Sequence, residues 1–297
     1  MRFLIAGSSG FLGTALREHL ADEGHEVVRL VRGDASGPGT SPWDPYAGEL
    51  DQAEVERADV VVNLAGRPLV GNPHSAAYRR DLMDSRVKTT SVLAEAIARS
   101  ERKPVFLAQN GTAYYGDRGD EVLDEDSGTA EGSILTPVTR AWEAATQPAV
   151  DAGARVCVLR TGPVLHRSGG ALKPILLLFK AGLGGRLGSG RQYFPISSLE
   201  DWVRATMFLA TNDASSGPYN MVAPQPPTNT EFTKALGRAL GRPTVLPVPA
   251  FAIRLAAGPV APELLGSYRI VPARLQAEGF TFHHPGVDAI LRSALQE

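Results

Sequence analysis

The chain has 297 residues, 43% hydrophobic and 21% charged, with 30 Lys plus Arg against 32 Asp plus Glu for a net charge of -2. That composition suits a globular protein with a large core, and the charge balance supplies no strong field for nucleic acid or an anionic membrane surface. The single cysteine, Cys157, excludes an internal disulfide, and no apolar run is long enough to span a bilayer.

The first apolar run, Phe3–Ala6, reads as a strand and meets Gly7, Gly10 and Gly13. A helix is expected from Gly13 to Glu23, with Leu12, Leu16 and Leu20 in register. A strand starting at Arg2 leaves no room for a signal peptide, so the cytoplasm is the expected compartment. Strand, glycine turn and helix together predict a dinucleotide-binding turn. Without Cβ atoms the backbone turns sharply and lets a pyrophosphate approach the N–H groups and positive end of the helix. Gly7, Ser9, Gly10, Phe11, Leu12 and Gly13 are the expected contacts. The spacing is Gly-x-x-Gly-x-x-Gly, because Ser8 stands where the older Gly-x-Gly-x-x-Gly pattern has its first glycine.

Further strands are expected at Glu26–Val31, Val60–Leu64, Val105–Gln109 and Arg155–Arg160. Helices are expected near Ser75–Ser100 and Pro137–Ala152. Residues 33–50 read as loop with a short strand around Trp43. Beyond Arg160 the rhythm loosens into a glycine-rich stretch, Gly182 to Gly190, and a proline-rich one, Pro218 to Pro249. Helical patterns return at Thr230–Leu240, Ala250–Ala257 and Val287–Leu295. The expected class is α/β: a Rossmann-type doubly wound parallel sheet with a smaller, mostly helical C-terminal lobe. Residues 1–165, completed by about 200–222, form the expected nucleotide domain, and 166–199 with 223–297 the lobe. The two long helices are candidates for a homodimer contact, and a monomer is equally allowed.

The second strand ends Leu30-Val31-Arg32-Gly33-Asp34. An acid there favours NAD, whereas the Arg32 guanidinium would pair with a 2′-phosphate. Arg32 comes first and Asp34 is its rival, so NADP(H) is the expected cofactor. In open parallel sheets ligands lie beyond the carboxyl ends of strands. That rule points to Leu64, Ala65 and Gly66, to Gln109 and Asn110, and to Gly162 and Pro163. Thr112, Tyr114 and Tyr115 follow the same strand end, either as hydroxyls near the nicotinamide or as an aromatic pair packing the interior. Arg191 is either a ligand for an anionic substrate group or a solvated loop arginine. His166 and the pair His283–His284 lack metal-ligand spacing, so no metal is expected.

With Gly7–Gly13, Asn63–Gly66 and Thr112–Gly119 in view, the chain resembles the short-chain dehydrogenase/reductase superfamily in its extended, epimerase-like branch. It is most similar to the atypical group labelled the epimerase family, which includes the bacterial YfcH-type proteins. The supporting runs are Asp84–Val87, Tyr114-Tyr115-Gly116-Asp117-Arg118-Gly119, Leu159–Gly162, Gly182–Gln192 and Leu246–Phe251. The resemblance implies a Rossmann domain, an NADP cofactor with Arg86 among its contacts, and a small C-terminal domain. It implies an oxidoreductase or epimerase-like activity on a small carbonyl, alcohol or nucleotide sugar.

The usual catalytic pair of this superfamily, Tyr-x-x-x-Lys, is absent: no tyrosine has a lysine four residues on. Asn110 stands where the family tends to have a serine, and Ser198 where it tends to have a histidine. Asn110, Thr112 and Tyr115 are the remaining catalytic candidates, with Tyr114 and Arg191 toward the substrate. The rival reading is a catalytically silent NADP(H)-binding sensor or interaction protein.

Overall fold

The computed structural model describes residues 1–33, 37–69, 72, 74–130 and 132–296. The first half runs β1 (Arg2–Ala6), α1 (Phe11–Asp22), β2 (Glu26–Val31), β3 (Thr40–Asp44), β4 (Glu49–Leu50), α2 (Gln52–Arg57) and β5 (Val60–Asn63). There follow α3 (Ala76–Arg99), β6 (Val105–Gly111), β7 (Val122–Leu123), α4 (Leu135–Ala144), α5 (Gln147–Asp151) and β8 (Val156–Thr161). The chain continues through β9 (Val164–His166), β10 (Gly169–Gly170), α6 (Leu172–Lys180), β11 (Ser197–Ser198), α7 (Leu199–Thr211) and β12 (Gly217–Met221). It ends with α8 (Asn229–Leu240), α9 (Ala250–Ala257), α10 (Ala261–Leu265), β13 (Arg269–Ile270), α11 (Ala273–Ala277) and α12 (Val287–Leu295).

The main sheet has eight strands in the order β12-β8-β6-β5-β1-β2-β3-β4. β1 pairs in parallel with both β2 and β5, β2 with β3, and β5 with β6; β3 and β4 are antiparallel. Strand order therefore reverses about β1, which puts the ends of β1 and β5 side by side at the switch point where such sheets bind ligands. The doubly wound α/β expectation holds.

The chain divides into two compact units. The first comprises residues 1–110, 138–159 and 206–218. Its core joins Leu4, Val28, Leu30, Trp43, Val61, Leu93, Ile97, Phe106 and Val158. Arg155 ties residues 206–218 into this unit by donating to the Leu209, Ala210 and Ser215 carbonyls. The second comprises residues 111–137, 160–205 and 219–297. Its core gathers Leu165, Leu172, Leu176, Phe179, Ile196, Phe232, Leu236, Ile290 and Leu291. The sequence reading puts residues 111–137 in the nucleotide domain, whereas here they belong to the second unit.

Some local readings need correction. The helix expected over Pro137–Ala152 is two helices, α4 and α5, broken at Ala145–Thr146. Pro148 has no N–H, and its ring would clash with the Ala144 carbonyl in a continuous helix. The helices α2, α6, α7, α10 and α11 have no counterpart among the expected helices. For α7 the missed signal is a start motif: the Ser198 hydroxyl accepts from the Asp201 N–H at 3.0 Å.

Candidate functional site

The glycine turn is built as a cradle. Gly7 has φ +78, and a Cβ on it would stand 2.6 Å from the Leu64 carbonyl carbon. A Cβ on Gly13 would strike the Gly7 carbonyl oxygen and lie 2.8 Å from Ser8 Cα. These close approaches demand glycine on packing grounds alone. Gly10 is the N-cap of α1, with no side-chain cap and no acid in the first turn. By contrast Asp51, Ser75 and Thr228 cap α2, α3 and α8 with their side chains. The N-terminus of α1 thus carries neither a capping side chain nor a first-turn carboxylate against its dipole. Ser9 and Gly10 are exposed there, and Phe11 and Leu12 half-buried.

At the end of β5, Asn63 holds the next turn. Its Oδ1 accepts from the Ala65 N–H at 3.1 Å, and its Nδ2 donates to Thr90 Oγ1 at 2.9 Å. Ala65 and Gly66 then line a hollow of about 460 Å³ in the first unit, together with Arg32, Trp43, Tyr46 and Arg67. Arg32 is exposed in it; Asp34, its rival, lies outside the described residues. Arg67 is ion-paired with Asp81. The sequence alone does not single out Trp43, Tyr46 or Arg67; the pairing of β3 with β2 and the turn after β5 bring them to one hollow.

Arg86 does not line that hollow. Its guanidinium donates to the Leu82 and Arg67 carbonyls at 3.1 and 3.0 Å and lies 5.1 Å from the Trp142 ring centre. Burial lowers its pKa to about 10, so it stays a cation at neutral pH. Gln109 donates to the Asn110 carbonyl, while its Oε1 is buried with no partner among the described residues. Asn110 is 1% exposed, and its amide donates to Thr139 O and Glu143 Oε2, both at 3.1 Å. Those two bonds take both amide hydrogens, so the residue in the serine slot holds α4 to the end of β6.

In the second unit Tyr115 is fully buried. Its hydroxyl donates to Asn220 Oδ1 at 2.7 Å and accepts from Arg160 Nη1 at 2.8 Å. Burial pushes the phenol up to about 12, against the pull of Arg160. At neutral pH such a group is a protonated phenol, joined to Arg160 and Asn220. Tyr114 is half-buried, edge-on to Tyr115, with the Arg160 guanidinium 3.6 Å above its ring. Gly162 is explained by packing: a Cβ there would strike the Pro195 carbonyl oxygen.

Thr112 and Pro163 line a different cavity, of about 310 Å³, with Gln192, Asn229, Glu263 and Tyr268. Arg191 is exposed and does not line it, whereas its neighbour Gln192 does. Ser198 bonds His284 Nδ1 at 3.0 Å, and the buried Asp201 carboxylate accepts from the His283 and His284 backbone N–H groups. Ser198 and Asp201 thus tie β11 and α7 to the C-terminal region of the same unit.

Residues 3–222 match the NAD dependent epimerase/dehydratase family. The chain belongs to this family. Residues 248–294 match a second model, described as a domain of unknown function (DUF1731). Among family members, an epimerase family protein of Mycobacterium leprae is 42% identical over 98% of this chain and 94% of its own length. A crystal structure of human epimerase family protein SDR39U1 (isoform 2) with NADPH superposes with a TM-score of 0.90 at 33% identity, covering 99% of both chains. The nucleoside-diphosphate sugar epimerase from Corynebacterium glutamicum has a TM-score of 0.80 at 34% identity, covering 99% of this chain and 58% of that one. The atypical short-chain dehydrogenase/reductase resemblance is therefore correct. No helix among the described residues is long and apolar enough to cross a membrane.

Proposed function

We propose that this chain is an NADP(H)-dependent oxidoreductase or epimerase-like enzyme of the cytoplasm. One observation carries the cofactor: Arg32 lines the same hollow as Ala65 and Gly66, and the Gly7 cradle packs on the turn that supplies them. The uncapped α1 N-terminus would take the pyrophosphate through the N–H groups of its first turn. Arg32 would take the 2′-phosphate, and the buried Gln109 Oε1, with no partner among the described residues, would be a further acceptor for the same molecule. The NADPH in the human SDR39U1 structure supports this reading. Bound there, the nicotinamide would supply or accept a hydride.

The chain's own chemistry is thin. Asn110 and Tyr115 hold neighbouring protein groups, so neither serves as acid or base here. Thr112 is the remaining hydroxyl of the catalytic candidates, and it lines the second unit's cavity. It would orient a substrate oxygen by a hydrogen bond. The engagement of Asn110 and Tyr115 also favours a second reading, a catalytically silent NADP(H)-binding sensor. The two separate by experiment: the protein is incubated with NADPH and a panel of ketones, aldehydes and sugar nucleotides while nicotinamide absorbance is followed. Turnover that falls in Thr112→Ala supports the enzyme. NADPH binding with no turnover across the panel supports the sensor, and failure to bind NADPH rejects both.

A further inference from the structure

The cavity of the second unit has a wall chemistry that speaks to its ligand. Ile175, Phe179, Leu187, Phe194, Phe232 and Val248 give the lining an apolar face. Three more lining residues, Leu178, Leu183 and Leu264, are also 54%, 58% and 45% exposed, so an apolar rim leads from solvent to the interior. Among the described lining residues there is no lysine, arginine or histidine. The charged type present is Glu263, whose carboxyl is hydrogen-bonded to Ser133 and pushed up by burial.

A diphosphate calls for cationic partners, which this wall lacks among the described residues, and its Gln192 amide is already engaged. Gln192 Nε2 donates to the Leu187 and Leu264 carbonyls, and Asn229 Oδ1 accepts from the Leu187 N–H. The start of α8, where Asn229 and Thr233 reach the cavity, is closed as well. Its first N–H groups go to Gln192 O, Gly190 O and Thr228 Oγ1, and Glu231 completes a capping box that adds negative charge. One buried polar atom of the described lining is unsatisfied. Tyr268 is 4% exposed, lines the cavity, and its hydroxyl has no partner among the described residues. Buried hydroxyls are rarely left so, and each asks for an explanation.

We infer that this cavity binds an uncharged, largely apolar small molecule whose single carbonyl or hydroxyl oxygen accepts a hydrogen bond from Tyr268, and that it excludes nucleoside diphosphate sugars. Tyr268 is kept protonated by burial and by the nearby Glu263 and Asp117 carboxyls, which makes it a donor. The volume, about 310 Å³, suits a small ligand. The inference rests on the proposed enzyme only in naming its substrate class.

The test is calorimetric titration of the full chain, alone and with NADPH, using 2-octanone and UDP-glucose as probes. The expected result is binding of 2-octanone, weakened about tenfold in Tyr268→Phe and lost in Val248→Trp, which fills the half-exposed side of the cavity. Tighter binding of UDP-glucose than of 2-octanone overturns the inference, as does wild-type affinity for 2-octanone in both variants. NADPH titrated by itself reports on the cofactor reading, so the two can fail separately.

Discussion

The Arg160 guanidinium donates to the Tyr115 hydroxyl at 2.8 Å, deep inside the second unit. The same hydroxyl donates onward to Asn220 Oδ1. A phenol held between a cation and an amide oxygen is a structural link. Tyr115→Phe should therefore cost about 1–3 kcal/mol of stability, because it strips a buried partner from each neighbour. NADPH affinity should be unchanged. Urea unfolding and a nicotinamide fluorescence titration check both halves. Lost turnover at undiminished stability would return Tyr115 to catalysis.

Gly10→Asp pits the helix against its ligand. Asp is a favoured N-cap, and the backbone at Gly10 (φ -74, ψ 173) accepts it. Stability should hold or rise by up to about 1 kcal/mol. The new carboxylate would sit where the pyrophosphate is expected, so NADPH should bind at least about tenfold more weakly. Equal affinity for wild type and variant would show that the α1 N-terminus is not the phosphate site.

Arg32 is exposed, so its charge acts in a solvent-screened setting. Arg32→Ala should weaken NADPH by about tenfold and leave NADH nearly unchanged. Comparable losses for both cofactors, read by parallel titrations, would remove Arg32 from the 2′-phosphate.

Tyr268→Phe should behave unlike Tyr115→Phe. It deletes a buried hydroxyl that has no partner among the described residues, so the ligand-free protein should gain about 1 kcal/mol. A thermal shift upward of a few degrees is expected. Destabilisation would mean that the hydroxyl does work in the empty fold.

Glu263 and Glu125 are both pushed up by burial. A carboxyl raised in the native state binds its proton more tightly there than in the unfolded chain. Its stabilising contribution is complete below the ordinary carboxyl range and is lost as pH climbs through the raised value. Melting temperature should fall across that window, and Glu263→Gln should flatten the fall. A variant with the wild-type slope would show that Glu263 is not coupled to folding.

The first strand, its glycine turn and α1 were readable because they are local. Each glycine answers to backbone within a few residues or at the neighbouring strand end, and the helix follows at once. The break between α4 and α5 was equally local, since Pro148 forbids a continuous helix. The helices α6 and α7 were harder. The Ile175–Phe179 run of α6 is apolar on several faces, and the start of α7 at Ser198 lay inside a segment read for its missing histidine.

Sequence by itself determined the doubly wound sheet, the dinucleotide turn and the family, because strand pattern, glycine spacing and helix register are properties of neighbouring residues. Tertiary structure decided which candidate side chains remain available. Tyr115 meets Arg160 and Asn220 across 45 and 105 residues of chain, and Asn110 meets Glu143 across 33. No local pattern encodes those meetings, which hold both candidate side chains to neighbouring protein groups. The same long-range packing buries the Tyr268 hydroxyl with no partner among the described residues, in a residue that lines a largely apolar cavity.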